Sequence, residues 1–365
     1  MTKLAGRLAG HVEPECRLRP ALGTPVRPVV PGALPARDSP GARATPSPQR
    51  RPPGGPVRGR YDAAMRSRTL DVGGPVHVAD FGGRGTPMLL VHGLGGSHAN
   101  WLAVGDPLAR RHRVLAPDLA GFGLTRPEGR SCSVEANAAL LTGVIEEVGR
   151  PVVLVGNSMG GLISMLVASR RPALVEGLVL VGAAMPRPLS TRPDLAVTAA
   201  FVTYAFPGLG ERYVRQRAQR LGPEGLVRET IKLCTVDPLR VPQDVYDAHV
   251  ALARTRREFP WAMEAYLEAA RSLVRIVVQR RRFVAMIRSI TAPTLLLHGD
   301  HDRLVPLGAA RWAAQVRPSW RLEVFDDCGH TPQLEMPDRF VDAVEGFCAE
   351  GSTPRREPVA PSIPA

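Results

Sequence analysis

Short apolar runs, most of them closed by Gly or Asp, recur along the chain between residues 66 and 327. They are PMLLVHG (Pro87–Gly93), HRVLAPD (His112–Asp118), PVVLVG (Pro151–Gly156), GLVLVGA (Gly177–Ala183), APTLLLHGD (Ala292–Asp300) and RLEVFDD (Arg321–Asp327). Ahead of them, RTLDVGGPVHVADFG predicts two strands around a Gly-Gly-Pro turn, a hairpin. Helical stretches alternate with the runs, among them Ser133–Val148 and Gly161–Ser169. Continuous apolar strands alternating with helices predict an α/β fold: a mostly parallel sheet covered on both faces.

The alternation stops between about Pro186 and Ile290, where the pattern is helical throughout, as in Glu264–Val278. This segment falls between the fourth and fifth apolar runs, so it predicts a helical cap inserted into the core. Within it, Trp261, Tyr266 and the uncharged AVTAAFVTYAF (Ala196–Phe206) are expected to form the cap's own core and the ceiling of a pocket. The expected organisation is a tail over 1–60, core over 61–186, cap over 187–290, core over 291–350 and a second tail over 351–365.

Composition changes the picture mainly at the ends. The 365 residues are 44% hydrophobic and 22% charged, with a net charge of +13. That suits one large globular domain with an insertion, or two small domains. Residues 1–60 are rich in Pro, Gly and Arg, hold 11 basic and 3 acidic side chains, and bury too little to order themselves. They read as a disordered tail, and Met65, just before the first strand, as an alternative start of translation. Residues 187–290 hold 18 basic and 10 acidic side chains, so the rest is slightly acidic. Lys3 and Lys232 are the only lysines, a bias that fits a GC-rich genome. A basic tail on a near-neutral core argues against nucleic acid as a partner. The five cysteines, Cys16, Cys132, Cys234, Cys328 and Cys348, form no CxxC pair and fit reduced thiols in a cytoplasm. The N-terminus lacks an apolar run of secretory length.

One stretch first suggests a membrane span. PVVLVGNSMGGLISMLVAS (Pro151–Ser169) is free of charge over a length that reaches across a bilayer. Gly156, Gly160 and Gly161 around Ser158 contradict that reading. A strand turning sharply into a helix needs them; a spanning helix does not. Gly-x-Ser-x-Gly in a strand–turn–helix context is a nucleophile elbow. The expectation is therefore no integral membrane segment.

The sequence resembles the α/β-hydrolase family over Arg66–Phe347. LLVHGLGG places His92-Gly93 at the end of an early strand, and PDLAGFGLT (Pro117–Thr125) matches the family's D-x-x-G-x-G loop. The resemblance implies Ser158 as nucleophile and an oxyanion hole from the backbone N–H groups of Leu94 and Met159. LLLHGDHDRLVP offers Asp300 and Asp302 as the acid, and the family spacing counted from Gly299 selects Asp302. FDDCGHTPQLEMPDRF supplies His330 as base, supported by a downstream Glu-x-Pro-x-x-Phe. This chemistry calls for no cofactor and no metal. His92, Gly93, Asn157 and Trp101 are further candidates for the pocket, as are His98 and Asn100. The Arg280–Arg282 run reads as a solvated helix face, with contact to an anionic substrate as the alternative.

Three functions fit. The first is hydrolysis of carboxylic esters or thioesters of small to medium apolar acyl groups. The second is C–C bond hydrolysis of the meta-cleavage product type, whose GNSMGG-like elbow this chain shares. That group has Gly-Pro-Gly after the His-Gly and Trp after the catalytic His, where this chain has Leu94-Gly95-Gly96 and Thr331. The third is a non-catalytic ligand-binding scaffold. A serine at position 158 argues against the epoxide hydrolases and haloalkane dehalogenases, which use Asp. The expected partner is a small-molecule substrate; oligomeric state is left open.

Overall fold

The computed structural model describes residues 65–351 apart from 189, 190 and 193. The two tails read from composition lie outside the described residues, save Gly351. Eight strands form one sheet: β1 (Arg66–Asp71), β2 (Pro75–Gly82), β3 (Pro87–Val91), β4 (Arg113–Pro117), β5 (Val152–Asn157), β6 (Val175–Val181), β7 (Thr294–Gly299) and β8 (Arg321–Phe325). Their spatial order is β1-β2-β4-β3-β5-β6-β7-β8. β1 and β2 form the expected antiparallel hairpin, β2 pairs antiparallel with β4, and every later pairing is parallel. Each apolar run of the sequence is one of these strands.

The helices outside the insertion are α1 (Leu102–Ala109), α2 (Val134–Val148) and α3 (Met159–Arg170), which precede it, with α9 (Leu307–Val316), α10 (Pro332–Glu335) and α11 (Pro337–Gly351), which follow it. Side chains alternate across the sheet as a strand's period of two dictates. Leu89, Val91, Leu154, Leu178, Leu180 and Leu296 enter one core with α2, α3 and α9. Met88, Leu90, Val153, Val155, Leu295 and Leu297 enter the other with α1 and α11. Burial on both faces is why the strands read as unbroken apolar runs.

Between β6 and β7 run α4 (Leu195–Ala205), α5 (Leu209–Cys234), α6 (Gln243–Arg256), α7 (Ala262–Val278) and α8 (Arg280–Ser289). α5 kinks at Gly222, where φ is +61° and Pro223 follows. A proline at that point cannot continue the helix without breaking its ladder. The insertion is anchored to the core by α8, whose Phe283 and Ile287 are buried beside Trp312, and by Arg256. The Arg256 guanidinium donates to the carbonyls of Gly121 and Gly123 at 2.9 and 3.0 Å. Its internal core is small: Tyr204, Leu267 and Ala270, with Phe201 and Tyr266 packed against them.

The expectation that Ala196–Phe206 forms the core of the insertion holds only for one side of the helix. Of α4, Tyr204 alone is buried. Leu195, Val202 and Phe206 are exposed. Trp261 is half-buried and stacks on Phe259, with ring centroids 4.8 Å apart.

Candidate active site

Ser158 sits between the end of β5 and the start of α3, with φ 55° and ψ −117°. A non-glycine residue at positive φ costs of order 1–3 kcal/mol, and surrounding structure must hold it there. Two backbone bonds do so: the Ser158 N–H donates to Val181 O at 2.9 Å, and the Ala184 N–H donates to Ser158 O at 3.0 Å. The flanking glycines are required by contact. A Cβ on Gly156 would lie 2.5 Å from Gly160 O, and one on Gly160 would lie 2.2 Å from Val91 O. Strand and helix therefore cross closely enough to throw the serine above the sheet.

Gly93 lies directly beside it, since a Cβ there would be 3.0 Å from Ser158 Cβ. The chain after β3 thus passes alongside the serine, carrying Leu94 next to it in sequence. Leu94 packs its side chain against the Tyr204 cluster of the insertion. Met159, fully buried, opens α3, so its N–H belongs to a helix N-terminus.

Asp302 and His330 meet at the ends of β7 and β8. The His330 Nδ1 lies 2.7 Å from Asp302 Oδ2, while Asp302 Oδ1 accepts from the N–H groups of Leu304 and Val305 at 2.9 and 2.8 Å. Asp300 faces elsewhere, toward His301 Nδ1 at 2.7 Å and the Cys328 N–H at 3.2 Å. Of the two acids, Asp302 is the one that lies beside His330. Gly182 lies close beneath the pair at φ +48°: a Cβ on it would be 3.0 Å from His330 Nδ1 and 3.1 Å from Asp302 Oδ2. Since Gly182 follows the residue that binds the Ser158 N–H, serine and pair sit over the same strand ends.

The histidine loop is fastened from three sides. The His330 N–H donates to Cys234 O, from the insertion, at 2.6 Å. The Asn157 side-chain amide donates to His330 O at 3.2 Å and to Val181 O at 3.1 Å. Asn157 therefore fastens the His330 loop to the end of β6. The buried Glu335 carboxylate accepts from the N–H groups of Gly329, Val236 and Asp237 at 2.8, 2.8 and 2.9 Å. Gly329 must be glycine, because a Cβ there would press to 2.4 Å from Cys234 O.

Three candidates turn out to be structural. His92 is fully buried; its Nε2 accepts from the Leu119 N–H at 3.1 Å and its Nδ1 donates to Gly93 O at 2.8 Å. Burial pushes its pKa down to about 4, so the ring is a neutral brace for the loop. Trp101 is corrected from pocket to core. It is fully buried, 6.3 Å from the Phe340 ring, in the layer with α1 and α11. Asn100 caps its own turn, its Oδ1 accepting from the Ser97 N–H at 3.0 Å.

Sequence reasoning noted Asp118 only as part of a loop motif. It is the hub of a buried network. Its carboxylate accepts from the His98 and Leu124 N–H groups at 2.7 and 2.8 Å, and pairs with His77 Nδ1 and His98 Nδ1, each at 2.9 Å. Burial by itself raises the Asp118 pKa, but the charge of His98 and the hydrogen bonds of both histidines hold it well below the usual range. One ring nitrogen from each histidine and a carboxylate oxygen of Asp118 lie within 4.8 Å of one another. A Cβ on Gly123 would lie 2.0 Å from the Asp118 carboxyl carbon. Backbone donors and this close approach close the cluster as a hydrogen-bonded knot joining β2, the segment after β3 and the 118–125 loop.

Above the site stands an aromatic wall. Tyr266 of α7 covers Gly95, whose Cβ would be 3.2 Å from the Tyr266 ring. Tyr204 meets Tyr266 edge-on at 5.5 Å and Phe201 edge-on at 5.7 Å. Burial and the neighbouring Tyr204 raise the Tyr266 pKa well above its ordinary value, so the phenol stays neutral.

Comparison with known proteins adds three kinds of likeness. The profile of the Alpha/beta hydrolase family matches residues 88–343. Two curated relatives are a 2-hydroxy-6-oxo-2,4-heptadienoate hydrolase of Pseudomonas putida, 33% identical over 73% of this chain and 90% of that protein, and a 2-hydroxymuconate semialdehyde hydrolase of a Pseudomonas species, 30% identical over 73% and 88%. Among solved structures, a thermophilic esterase from Thermogutta terrifontis superposes with a TM-score of 0.60 at 26% identity, over 79% of this chain and 99% of that one.

Proposed function

This chain belongs to the alpha/beta hydrolase family, and on that premise we propose that it cleaves carboxylic esters or thioesters through an acyl-enzyme on Ser158. The observation that carries the reading is the strained Ser158 over the same strand ends as the His330–Asp302 pair.

In this mechanism His330 takes the Ser158 proton as Oγ attacks the acyl carbon, then gives it to the departing alcohol or thiol. Asp302 keeps Nδ1 protonated and stabilises the imidazolium. The N–H groups of Leu94 and Met159 receive the developing oxyanion, each worth about 3 kcal/mol in comparable sites. Water then attacks the acyl-enzyme with His330 as base and frees the acid. The helical insertion acts as the cap, and its Phe201–Tyr204–Tyr266 wall receives the acyl group.

The wall also favours esters over dienoates. It is neutral, whereas a dienoate substrate carries a carboxylate, and Arg256 is committed to the carbonyls of Gly121 and Gly123. Leu94-Gly95-Gly96 and the buried Thr331 occupy positions that differ in the C–C hydrolase pattern. The second reading, C–C hydrolysis, is favoured by the names of the two relatives from Pseudomonas.

The test compares p-nitrophenyl esters of increasing acyl length with a dienol-type ring-cleavage product. Each added methylene is expected to raise kcat/KM a few-fold, at about 0.8 kcal/mol per group, until the wall is filled. Fast turnover of the dienol with negligible esterase activity would replace the ester reading by the C–C one.

A further inference from the structure

The sixteen residues LAVTAAFVTYAFPGLG, Leu195 to Gly210, carry no charge, yet ten of them are exposed. Leu195 is 80% exposed, Phe206 57%, Leu209 53% and Val202 52%. Clustered exposed apolar side chains of this kind mark an interaction surface. α5 follows directly after the exposed Pro207 and Gly208. Leu209, Arg212, Tyr213, Gln216 and Arg220 follow helical spacing and are all exposed, with Arg215 beside them. The nearest acid, Glu211, is already taken by Arg271 at 2.8 Å and by the Gly208 N–H at 2.6 Å. The arginines therefore present uncompensated positive charge next to a greasy ridge.

From this juxtaposition we infer that the outer face of α4 and the first turns of α5 dock on an anionic lipid surface. The apolar ridge would enter the headgroup boundary while Arg212, Arg215 and Arg220 meet lipid phosphates, their stems lying along the ridge. A second copy of the chain is a poorer occupant, because pairing two such faces brings like charges together. The inner face of α4 gives the docking a purpose. Phe201 and Tyr204 belong to the aromatic wall with Tyr266, so α4 carries both the exposed apolar ridge and part of that wall. On the ester reading, on which this purpose rests, an amphiphilic ester passes from the lipid surface beneath α4 without crossing bulk water.

The test is co-sedimentation of the full chain with vesicles of phosphatidylcholine alone or mixed with phosphatidylglycerol. Expected is binding to the anionic vesicles, weakened by salt, and reduced roughly tenfold or more both by Arg212→Glu/Arg215→Glu/Arg220→Glu and by Val202→Glu/Phe206→Glu. Residues 1–60 are themselves basic, so a second readout separates the surfaces: Phe206→Trp fluorescence should be quenched by brominated lipid. Ser158→Ala should bind like the wild type, so failure of the catalytic reading leaves this measurement intact. Turnover of a short soluble ester by Val202→Glu/Phe206→Glu checks that the variant is folded. Vesicle binding unchanged in both multiple variants, absence of quenching at position 206, or a dimer in light scattering that Val202→Glu/Phe206→Glu abolishes would each overturn the proposal.

Discussion

Asp302 holds His330 by a 2.7 Å contact between Oδ2 and Nδ1, and its other oxygen is fixed by the N–H groups of Leu304 and Val305. Asp300, two residues away, is bound instead to His301 and the Cys328 N–H. Near neighbours in sequence are thus assigned to different partners by the turn that ends β7.

The first prediction follows from that division. Asp302→Asn should lower kcat on a short ester by about three to four orders of magnitude, because the wrong tautomer is then held. Asp300→Asn should stay within several-fold of wild type. The reverse ranking in steady-state kinetics would assign the acid to Asp300.

Glu335 anchors the histidine loop without touching the reacting atoms. Its carboxylate is fully buried and holds three backbone N–H groups, with Arg240 Nη1 3.6 Å away. Glu335→Ala should cost about 3 kcal/mol in urea unfolding, since it strands those donors and leaves Arg240 short of a partner. On the proposed mechanism the loss of kcat should exceed the change in KM, because His330 moves while the aromatic wall stays. A variant as stable as wild type would show that the loop holds itself.

Acid should weaken the fold through its neutral histidines. His92 has a folded pKa of about 4 against an ordinary 6.5. A depressed histidine adds stability above its unfolded pKa and loses it as pH falls from 6.5 through 4, because the unfolded chain then binds more protons. The loss from His92 alone is about 3 kcal/mol. His249 and His298, both depressed chiefly by burial, act in the same direction. Urea midpoints between pH 7 and 4 should fall steadily, and the His92 ring signal in NMR should titrate near the low end. A His92 ring that titrates near 6.5 would contradict the burial argument.

Much of this was legible in the sequence for definable reasons. Runs such as PVVLVG are apolar on both faces, which only a covered strand tolerates, and the glycines around Ser158 are demanded by contacts of 2.2–2.5 Å. Asp302 is selected over Asp300 only through the resemblance to the family's loop spacing. The Asp118 knot was not legible, because its partners His77 and His98 stand 41 and 20 residues away and the tertiary fold alone brings them together. Glu335 was visible only as part of a motif, with no hint of the three N–H groups it serves. The exposure of α4 was hidden for another reason. A helix apolar on all sides has no period to show which side meets solvent.

The measurement that bears most directly on the account is intact-mass spectrometry after treatment with a fluorophosphonate and, separately, after rapid quenching with a p-nitrophenyl ester. The account predicts a single phosphonyl adduct on the wild type, mapped to Ser158 by peptide sequencing, and a transient acyl adduct on the same residue. Both should vanish in Ser158→Ala and form far more slowly in His330→Ala. Adducts that persist in Ser158→Ala, or ester turnover that survives the substitution, would contradict the assignment of Ser158 as the nucleophile.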